Sequence, residues 1–251
     1  MGPIVLMTDF GEMDGYVGAM KGVITSIAPQ AQVIDLSHHI PPQDLDTARF
    51  VLWNQHRYFP SGSIFVCVVD PGVGSERDIV AVKTDSYYFL APDNGLLDYV
   101  LSETRPQTML RVENPLFFRA ENPSQTFHGR DIFAPAAAHL VAGEIYTQLG
   151  PMHSYQIPAS PFVDARPEQA GKILHIDHFG NLITNIRQSD YLPAAFAFYH
   201  TRIEIGSSYA SVKEGEVLAL AASHGLWEIS QRNGRADAFF QAKAGDLVHL
   251  L

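Results

Sequence analysis

The sequence predicts an α/β fold in which an N-terminal, mainly parallel α/β sandwich domain is followed by a small C-terminal β-barrel domain. Short apolar strands alternate with helical segments in the first part of the chain, a pattern typical of a parallel sheet covered by helices on both faces. Beyond about residue 155, short strands separated by Pro and Gly replace this alternation, which favours a barrel or a sandwich. We therefore predict two domains, residues 1–160 and residues 168–251.

Residue spacing locates the first elements of the N-terminal domain. Val17, Met20 and Ile24 lie at helical intervals, so we expect a helix that begins near Asp14 and ends before Pro29. Runs of apolar, strand-forming residues predict the strands of the sheet. In chain order these strands are expected at residues 3–8, 32–36, 63–69, 79–82 and 87–90.

Two later helices are recognised by their first residues. Asp44 is a suitable N-cap for a helix that carries Leu45, Ala48 and Leu52 on one face. Pro135 would lie in the first turn of a helix over residues 132–141, where a helix tolerates proline. The second domain is expected to contain six short strands, at residues 172–176, 182–186, 202–205, 217–221, 227–229 and 247–250.

Composition narrows the classes of function. With 251 residues, 46% of them hydrophobic, the chain can bury a sizeable core, and its net charge of −10 disfavours nucleic acid and anionic membranes as partners. Cys67 is the only cysteine and lies in an apolar run, which predicts a buried thiol and excludes an internal disulfide. No apolar run reaches the roughly 18 residues of a membrane span, and no secretory signal pattern is present. We expect a cytoplasmic protein.

Residues 68–77 (VVDPGVGSER), together with residues 126–131 (TFHGRD), form the most informative pattern. A strand ends at Asp70, a turn leads to Arg77, and His128 stands beside a glycine about fifty residues later. An Asp, an Arg and a His at strand and loop ends can hold and polarise a water molecule. An ordinary ion pair on a surface turn is the alternative interpretation of these residues.

Other polar residues follow the predicted strands. Asp9, the segment after Leu36, and Asp70 would meet at the carboxyl edge of a parallel sheet, where ligands bind. Asp9 is a candidate for holding ribose hydroxyls, whereas Asp14 is expected to cap the first helix. Neither G-x-G-x-x-G after the first strand nor a P-loop occurs, so a phosphate-binding loop is not predicted.

Four further segments contain polar residues that a ligand or a metal could contact. A metal site at Asp35, His38 and His39 is disfavoured because adjacent histidines on a strand point in opposite directions. Phe179 could stack on a base while Asn181 binds its edge, although a core aromatic next to a turn asparagine is an equal alternative. The loop beginning at Ser223 could present a hydroxyl and backbone amides to a carboxylate, and Asn94-Gly95 most simply forms a turn.

Taken together, six segments resemble the S-adenosyl-L-methionine (SAM) hydroxide adenosyltransferases, which are adenosine-forming SAM hydrolases related to the bacterial fluorinase and chlorinase. The segments are MTDFG at 7–11, DLSH at 35–38, VDPGVG at 69–74, APDNGL at 91–96, FHGRD at 127–131 and FGNLITN at 179–185. The resemblance covers nearly the whole chain. It implies an α/β domain, a β-barrel, and a homotrimer whose ligand lies between one subunit's first domain and its neighbour's second.

The resemblance also implies roles for individual residues. The family's catalytic triad would be Asp70, Arg77 and His128, with SAM as the substrate and neither a cofactor nor a metal required. The implied substrate contacts are Asp9 for the ribose, Phe179 and Asn181 for adenine, Asp177 for the methionine ammonium, Ser223 for the methionine carboxylate, and Asn94 without an assigned group. Halogenating relatives carry a tyrosine where this chain has Asp70 and an arginine where it has His224.

Hydrolysis is favoured because a carboxylate at the nucleophile's position would repel a halide but can orient water. Water would attack ribose C5′ and displace a neutral thioether, which requires no general acid. We expect Arg77 to stabilise hydroxide, His128 to take the proton and Asp70 to orient the water and the neighbouring arginine. The alternatives are a SAM-dependent halogenase that forms a 5′-halo-adenosine, and a non-catalytic SAM- or adenosine-binding module.

Overall fold

Two separate hydrophobic cores organise the chain. The computed structural model describes all residues, 1–251, and divides them into two units, Met1–Ala159 and Ser160–Leu251. Aliphatic residues of the sheet and helices build the first core, and aromatic and aliphatic residues of the short strands build the second. No helix in either unit is long and apolar enough to span a membrane.

The first unit contains a six-stranded sheet with the strand order β2-β1-β3-β5-β4-β6. The first four strands of this order run parallel to one another, whereas β4 pairs antiparallel with both β5 and β6. The mainly parallel sheet predicted from the sequence is therefore confirmed, and β6 is an addition to it. The strands are β1 Ile4–Thr8, β2 Val33–Ser37, β3 Ile64–Val68, β4 Ile79–Lys83, β5 Tyr88–Pro92 and β6 Thr108–Arg111.

Helices cover both faces of this sheet. Val66 and Leu90 pack in a core with residues of α1 and α4 on one face of the sheet. Their neighbours in the strands point to the opposite face, because successive side chains of a strand alternate. Phe65 and Phe89 point to the other face, where their rings meet His56, which follows α2 directly. The helices are α1 Tyr16–Ile27, α2 Leu45–Gln55, α3 Asp98–Leu101 and α4 Ala134–Ala142. Asp44 caps α2 as predicted, accepting a hydrogen bond of 3.0 Å from the Thr47 amide.

Two predicted helix starts need correction. The N-cap of α1 is Gly15, in the left-handed region at φ 71°, so the prediction that Asp14 caps this helix is wrong. A glycine is suited to this position because it adopts positive φ without steric cost. The helix predicted over residues 132–141 is α4. It begins at Ala134 because a π-helical turn, Gly129–Phe133, precedes it. Pro135 lies in the first turn of α4, as expected.

The second unit is a closed β-barrel of seven strands. The order β13-β12-β11-β10-β14-β8-β9 closes through the pairing of β9 with β13, and β7 adds to the outside of β9. Phe196, Phe198 and Trp227 are among the residues that fill its interior. The predicted barrel is confirmed, while β7, β10 and the short helix α5 Ala236–Phe240 were not anticipated. The strands are β7 Val163–Asp164, β8 Ala170–Ile176, β9 Leu182–Arg187, β10 Ala195–Phe198, β11 Thr201–Gly206, β12 Val217–Ala221, β13 Leu226–Gln231 and β14 Leu247–Leu250.

Candidate active site

Asp70 lies at the carboxyl end of β3, where the chain leaves the sheet. Val69 before it is buried, and its carbonyl accepts a hydrogen bond of 2.9 Å from the Asn94 side-chain amide. The Asn94 side-chain oxygen in turn accepts from the Leu96 amide at 3.2 Å. Asn94, predicted to contact substrate, is thus engaged in fixing the end of β3, and it does not line the cavity next to Asp70.

Asp70, Arg77 and His128 form one connected cluster. The Nε of Arg77 donates to both carboxylate oxygens of Asp70 at 3.0 Å, and its Nη2 donates to Oδ2 as well. The same Nη2 lies 2.7 Å from Nδ1 of His128. The Arg77 and Asp70 side chains are only 11% and 4% exposed. The sequence also allowed an ordinary ion pair on a surface turn. The burial distinguishes the cluster from such a pair, because the buried charges interact with little screening by water.

Burial and the charge of Arg77 both favour the neutral form of His128. Burial lowers the pKa of His128 and the neighbouring guanidinium lowers it further, against smaller opposing effects of Asp70 and Asp131. A guanidinium has donors only, so Nδ1 of His128 must accept and its hydrogen must reside on Nε2. In this tautomer the ring's lone pair faces Arg77 rather than a water molecule. The proton-accepting role of His128 stays a prediction, and it requires that this contact break.

A rigid segment carries His128 into the cluster. His128 directly precedes the π-helical turn Gly129–Phe133, a local structure that occurs frequently at functional sites. Asp131 within it is buried and accepts from the Ser124 amide at 2.9 Å and from Arg130 at 2.7 and 2.8 Å. A Cβ on Gly129 would come within 3.1 Å of the Phe10 ring, so glycine permits this close packing.

A cavity of about 410 Å³ lies beside the cluster. It is lined by Asp9, Asp70 and His128, so the two carboxylates predicted to share a crevice do so, whereas the segment after Leu36 does not line it. One oxygen of Asp9 accepts a hydrogen bond of 2.8 Å from the Gln43 amide. Arg77 does not line this cavity; together with His128 it lines a separate, shallow groove of about 380 Å³.

Aromatic rings form one wall of the 410 Å³ cavity. Phe10, Tyr16 and Phe127 meet edge to face, with ring centroids 5.2 to 6.0 Å apart. Such a wall suits an apolar or a cationic ligand group, since the ring faces carry partial negative charge. Sequence reasoning missed these three residues, although each lies in or near a segment that carries a predicted polar site residue.

A second cavity, of about 560 Å³, belongs to the barrel unit and includes two predicted adenine contacts. Phe179, 72% exposed, and Asn181 line it together with Tyr209 and Arg235. Asp177 shapes the loop, because its carboxylate accepts hydrogen bonds of 2.9 Å from the Phe179 and Asn181 amides and from the Asn181 side chain. These contacts give the loop a defined shape that leaves the Phe179 ring presented at the surface.

Tyr209 is a lining residue that the sequence did not reveal. Its hydroxyl donates to Oε1 of the buried Glu228 at 2.7 Å. Glu228 belongs to β13, so this contact is known only once the strand is placed beside Tyr209. His224 lies on the other side of this carboxylate, with Nε2 3.7 Å from Oε2. Ser223, predicted to meet a substrate carboxylate, lies on the exposed turn before β13 and does not line the cavity.

Three histidines away from the triad, His38, His39 and His153, have carboxylates as neighbours. His38 is buried and His39 is exposed, which confirms that the two point in different directions. Asp78, Asp93 and His153 form a group whose ligand atoms lie within 4.8 Å of one another. The two ring nitrogens of His153 lie 3.7 Å from a carboxylate oxygen of Asp78 and 3.1 Å from one of Asp93.

Comparisons with known proteins agree on one family. The family model described as the SAM hydroxide adenosyltransferase N-terminal domain matches residues 4–150, and the model for the C-terminal domain matches residues 171–249. The (R)-S-adenosyl-L-methionine hydrolase of Thermus thermophilus is 35% identical over the full length of both chains. A fluorinase of Nocardia brasiliensis is 29% identical, and the match covers 98% of this chain and 96% of the fluorinase.

Solved structures show the same architecture. That of an uncharacterized conserved protein from Thermotoga maritima matches with a TM-score of 0.87 at 33% identity, covering 98% of this chain and 99% of the other. That of a conserved hypothetical protein from Thermus thermophilus matches with a TM-score of 0.85 at 33% identity over the whole of both chains. With both domain models matched in order, this chain belongs to the SAM hydroxide adenosyltransferase family.

Proposed function

We propose that this protein hydrolyses SAM to adenosine and L-methionine by attack of water on ribose C5′. The observation that carries the proposal is the buried Asp70–Arg77–His128 cluster beside a cavity that also contains Asp9. Relatives of similar length are named as SAM hydrolases, which supports the same reaction. No cofactor or metal is part of the proposed reaction, and we place it in the cytoplasm.

Ionisation of the attacking water is the central step, and electrostatic stabilisation of the resulting hydroxide makes it possible. Methionine leaves as a neutral thioether, so the demand falls on ionising a water molecule whose free pKa is near 15.7. Arg77 supplies a permanent positive charge, held in place by Asp70 and shielded from bulk water. The proton passes to Asp70 or His128, and the aromatic wall of Phe10, Tyr16 and Phe127 accommodates the sulfonium.

The ribose and adenine contacts follow from the two cavities. In this proposal the free oxygen of Asp9 accepts from the ribose hydroxyls, and Phe179 and Tyr209 pack on adenine while Asn181 binds its edge. Asp177 and Ser223 line neither cavity, and their contacts with the methionine ammonium and carboxylate are proposed from the family resemblance alone. Fluorinases are also similar to this chain, but the carboxylate of Asp70 beside the attack position opposes a halide and favours hydrolysis.

The direct test is incubation of the purified protein with SAM in halide-free, ¹⁸O-labelled water, followed by liquid chromatography and mass spectrometry. The relatives are named for the (R) form, so each sulfonium epimer should be supplied separately. Adenosine that carries ¹⁸O, together with methionine, is the expected result. A 5′-halo-adenosine formed after addition of chloride or fluoride would instead identify a halogenase. Bound SAM without turnover would identify a binding module.

We further propose a homotrimer in which one subunit's first unit and its neighbour's barrel complete each site. Support comes from the division of predicted contacts, since Asp9 and the triad lie in one unit and Phe179 and Asn181 in the other. Light scattering should give three chains per particle. Mixing inactive Arg77→Met subunits with inactive Asn181→Ala subunits should restore activity, because some mixed trimers contain intact sites. Mixtures that stay inactive would contradict a shared site.

The pH dependence of turnover should reveal the state of His128. Because the pKa of His128 is lowered below its ordinary value of 6.5, the neutral ring dominates at pH 7 and activity should be full there. As the pH falls through this lowered pKa, Nδ1 becomes protonated and faces the donors of Arg77. We therefore expect kcat/KM to decrease with the uptake of a single proton. A pH–rate profile from pH 5 to 9 measures this limb.

The matched variant is His128→Asn, whose side-chain oxygen can accept from Arg77 but cannot titrate. If His128 only holds Arg77, this variant should retain much of the rate and lose the acidic limb of the profile. If His128 is the general base, the rate should fall roughly 100-fold or more across the whole range. An acidic limb that persists unchanged in His128→Asn would show that another group titrates.

Removing the aromatic side chains of the barrel cavity should weaken nucleoside binding. We expect Tyr209→Ala and Phe179→Ala each to raise the Kd for adenosine about tenfold, because each removes about 1–3 kcal/mol of base stacking. Isothermal titration calorimetry measures the effect. Phe239→Ala is the control, since this exposed aromatic of the same unit is not among the residues that line the cavity. Unchanged affinity in both variants would contradict the proposed adenine position.

A further inference from the structure

A chain of polar contacts begins at Thr8, the residue before Asp9; it is buried at Thr8 and His38 and reaches the surface at Asp35. The hydroxyl of Thr8 and Nδ1 of His38 are 2.8 Å apart, and both residues are almost fully buried. Nε2 of His38 lies 3.0 Å from Oδ1 of Asp35, whose other oxygen accepts from Lys21 at 2.6 Å. The carboxylate beside Nε2 favours a hydrogen on that nitrogen, so Nδ1 accepts from the Thr8 hydroxyl.

An irregularity in strand pairing brings these groups together. Leu6 pairs with Asp35, but the next residue, Met7, pairs with Ser37, so β2 contains one extra residue at this point. In a regular strand, residues three positions apart point to opposite faces. The bulge removes this alternation and allows Asp35 and His38 to meet.

These contacts bind the exit of β1 to the exit of β2. Thr8 also accepts from the Phe10 amide at 3.2 Å, and the His38 carbonyl accepts from the Gly11 amide at 2.9 Å. Asp9 therefore lies in a turn fixed on both sides, and the Gln43 amide holds one of its oxygens.

The arrangement superficially resembles a nucleophilic triad, but the Thr8 hydroxyl cannot reach a ligand. Thr8 is 0% exposed, and its oxygen is already engaged by His38 and the Phe10 amide. Thr8 and His38 are also absent from the residues that line the cavity. The contacts act on the site through the backbone of residues 8–11.

We infer that His38 is a positioning residue that acts through its 2.8 Å contact with Thr8 to hold Asp9 in place for the ribose hydroxyls of the substrate. This inference rests on the proposed function, because it assumes that a nucleoside is bound at Asp9. It assigns a role to the DLSH segment that the triad and the substrate contacts leave without one.

The test compares the affinities of adenosine and 2′,3′-dideoxyadenosine, which differ only in the hydroxyls assigned to Asp9. In the wild type, adenosine should bind more tightly. Thr8→Val, nearly equal in volume, and His38→Asn should each reduce this preference about tenfold, as expected when one well-placed hydrogen bond is lost. Thr8→Ser should retain it, and His39→Asn is the matched control because His39 is exposed.

The outcomes separate a positioning role from a structural one. Equal weakening of both nucleosides, or an unchanged preference in Thr8→Val and His38→Asn, would overturn the inference. A wild type that prefers adenosine but does not hydrolyse SAM would remove the proposed hydrolysis and leave the nucleoside binding at Asp9 on which this inference depends. A wild type that hydrolyses SAM but does not prefer adenosine would leave the proposed hydrolysis standing and overturn this inference.

Discussion

Replacing Arg77 by methionine is expected to lower kcat for SAM hydrolysis about a thousandfold, the effect of removing a preorganised charge from a developing oxyanion. Arg77 is the one group in the cluster that donates to both of the others, through contacts of 3.0 Å to Asp70 and 2.7 Å to His128. The variant removes the charge that is proposed to stabilise the forming hydroxide through the cluster, and it also leaves the buried carboxylate of Asp70 without its partner. Steady-state turnover measures the loss.

Two further arginine variants serve as controls for Arg77→Met. Arg111→Met removes a charge near the same groove, but the Arg111 side chain is 43% exposed and pairs with Glu113, so near-normal turnover is expected. Arg77→Lys keeps the charge but cannot donate from one side chain in the same forked geometry, so it should recover only part of the rate. Adenosine affinity within threefold or so of wild type would show that Arg77→Met remains folded. Turnover near the wild-type rate in Arg77→Met would contradict the proposed mechanism.

Replacing Gly74 by alanine should damage both stability and catalysis. Gly74 adopts φ 78°, and a Cβ there would overlap the carbonyl oxygen of Gln125. The two segments that must move apart are those that carry Arg77 and His128. We expect a loss of about 3 kcal/mol in the free energy of unfolding. Turnover should fall about 100-fold, because a displacement near 1 Å has that effect on an aligned site.

Gly215→Ala is the matched control for this substitution. Gly215 has a similar φ of 81°, but a Cβ there would meet no atom within 4 Å. It should therefore show only the backbone penalty, about 1 kcal/mol, with normal turnover. Urea titration of both variants gives the difference in unfolding free energy. Equal stabilities for the two variants would show that the loops around Gly74 adapt, and that the close contact with Gln125 does not constrain the site.

The predictability of the site varies between residues. Asp9 and Asp70 could be expected to share a cavity, because parallel strands end at the same edge of a sheet. Tyr209 could not be found, since its importance depends on a hydrogen bond to Glu228 across the barrel. The contact of the Asn94 side chain with the Val69 carbonyl was not predicted, because the two residues are far apart in the sequence, and the substrate contact of Asn94 stays a prediction.

Local sequence by itself determined most of the strands, the approximate positions of three helices and the order of the two folds. Apolar periodicity defined the buried strands, Asp44 defined the start of α2, and the change in pattern near residue 155 marked the barrel. Tertiary structure decided which polar groups meet. The contacts of Arg77 with His128, of Asp35 with His38 at the bulge, and of Gly74 with Gln125 each depend on how separate segments pack. Such contacts are decided by distances of a few tenths of an ångström, which periodicity and propensity do not encode.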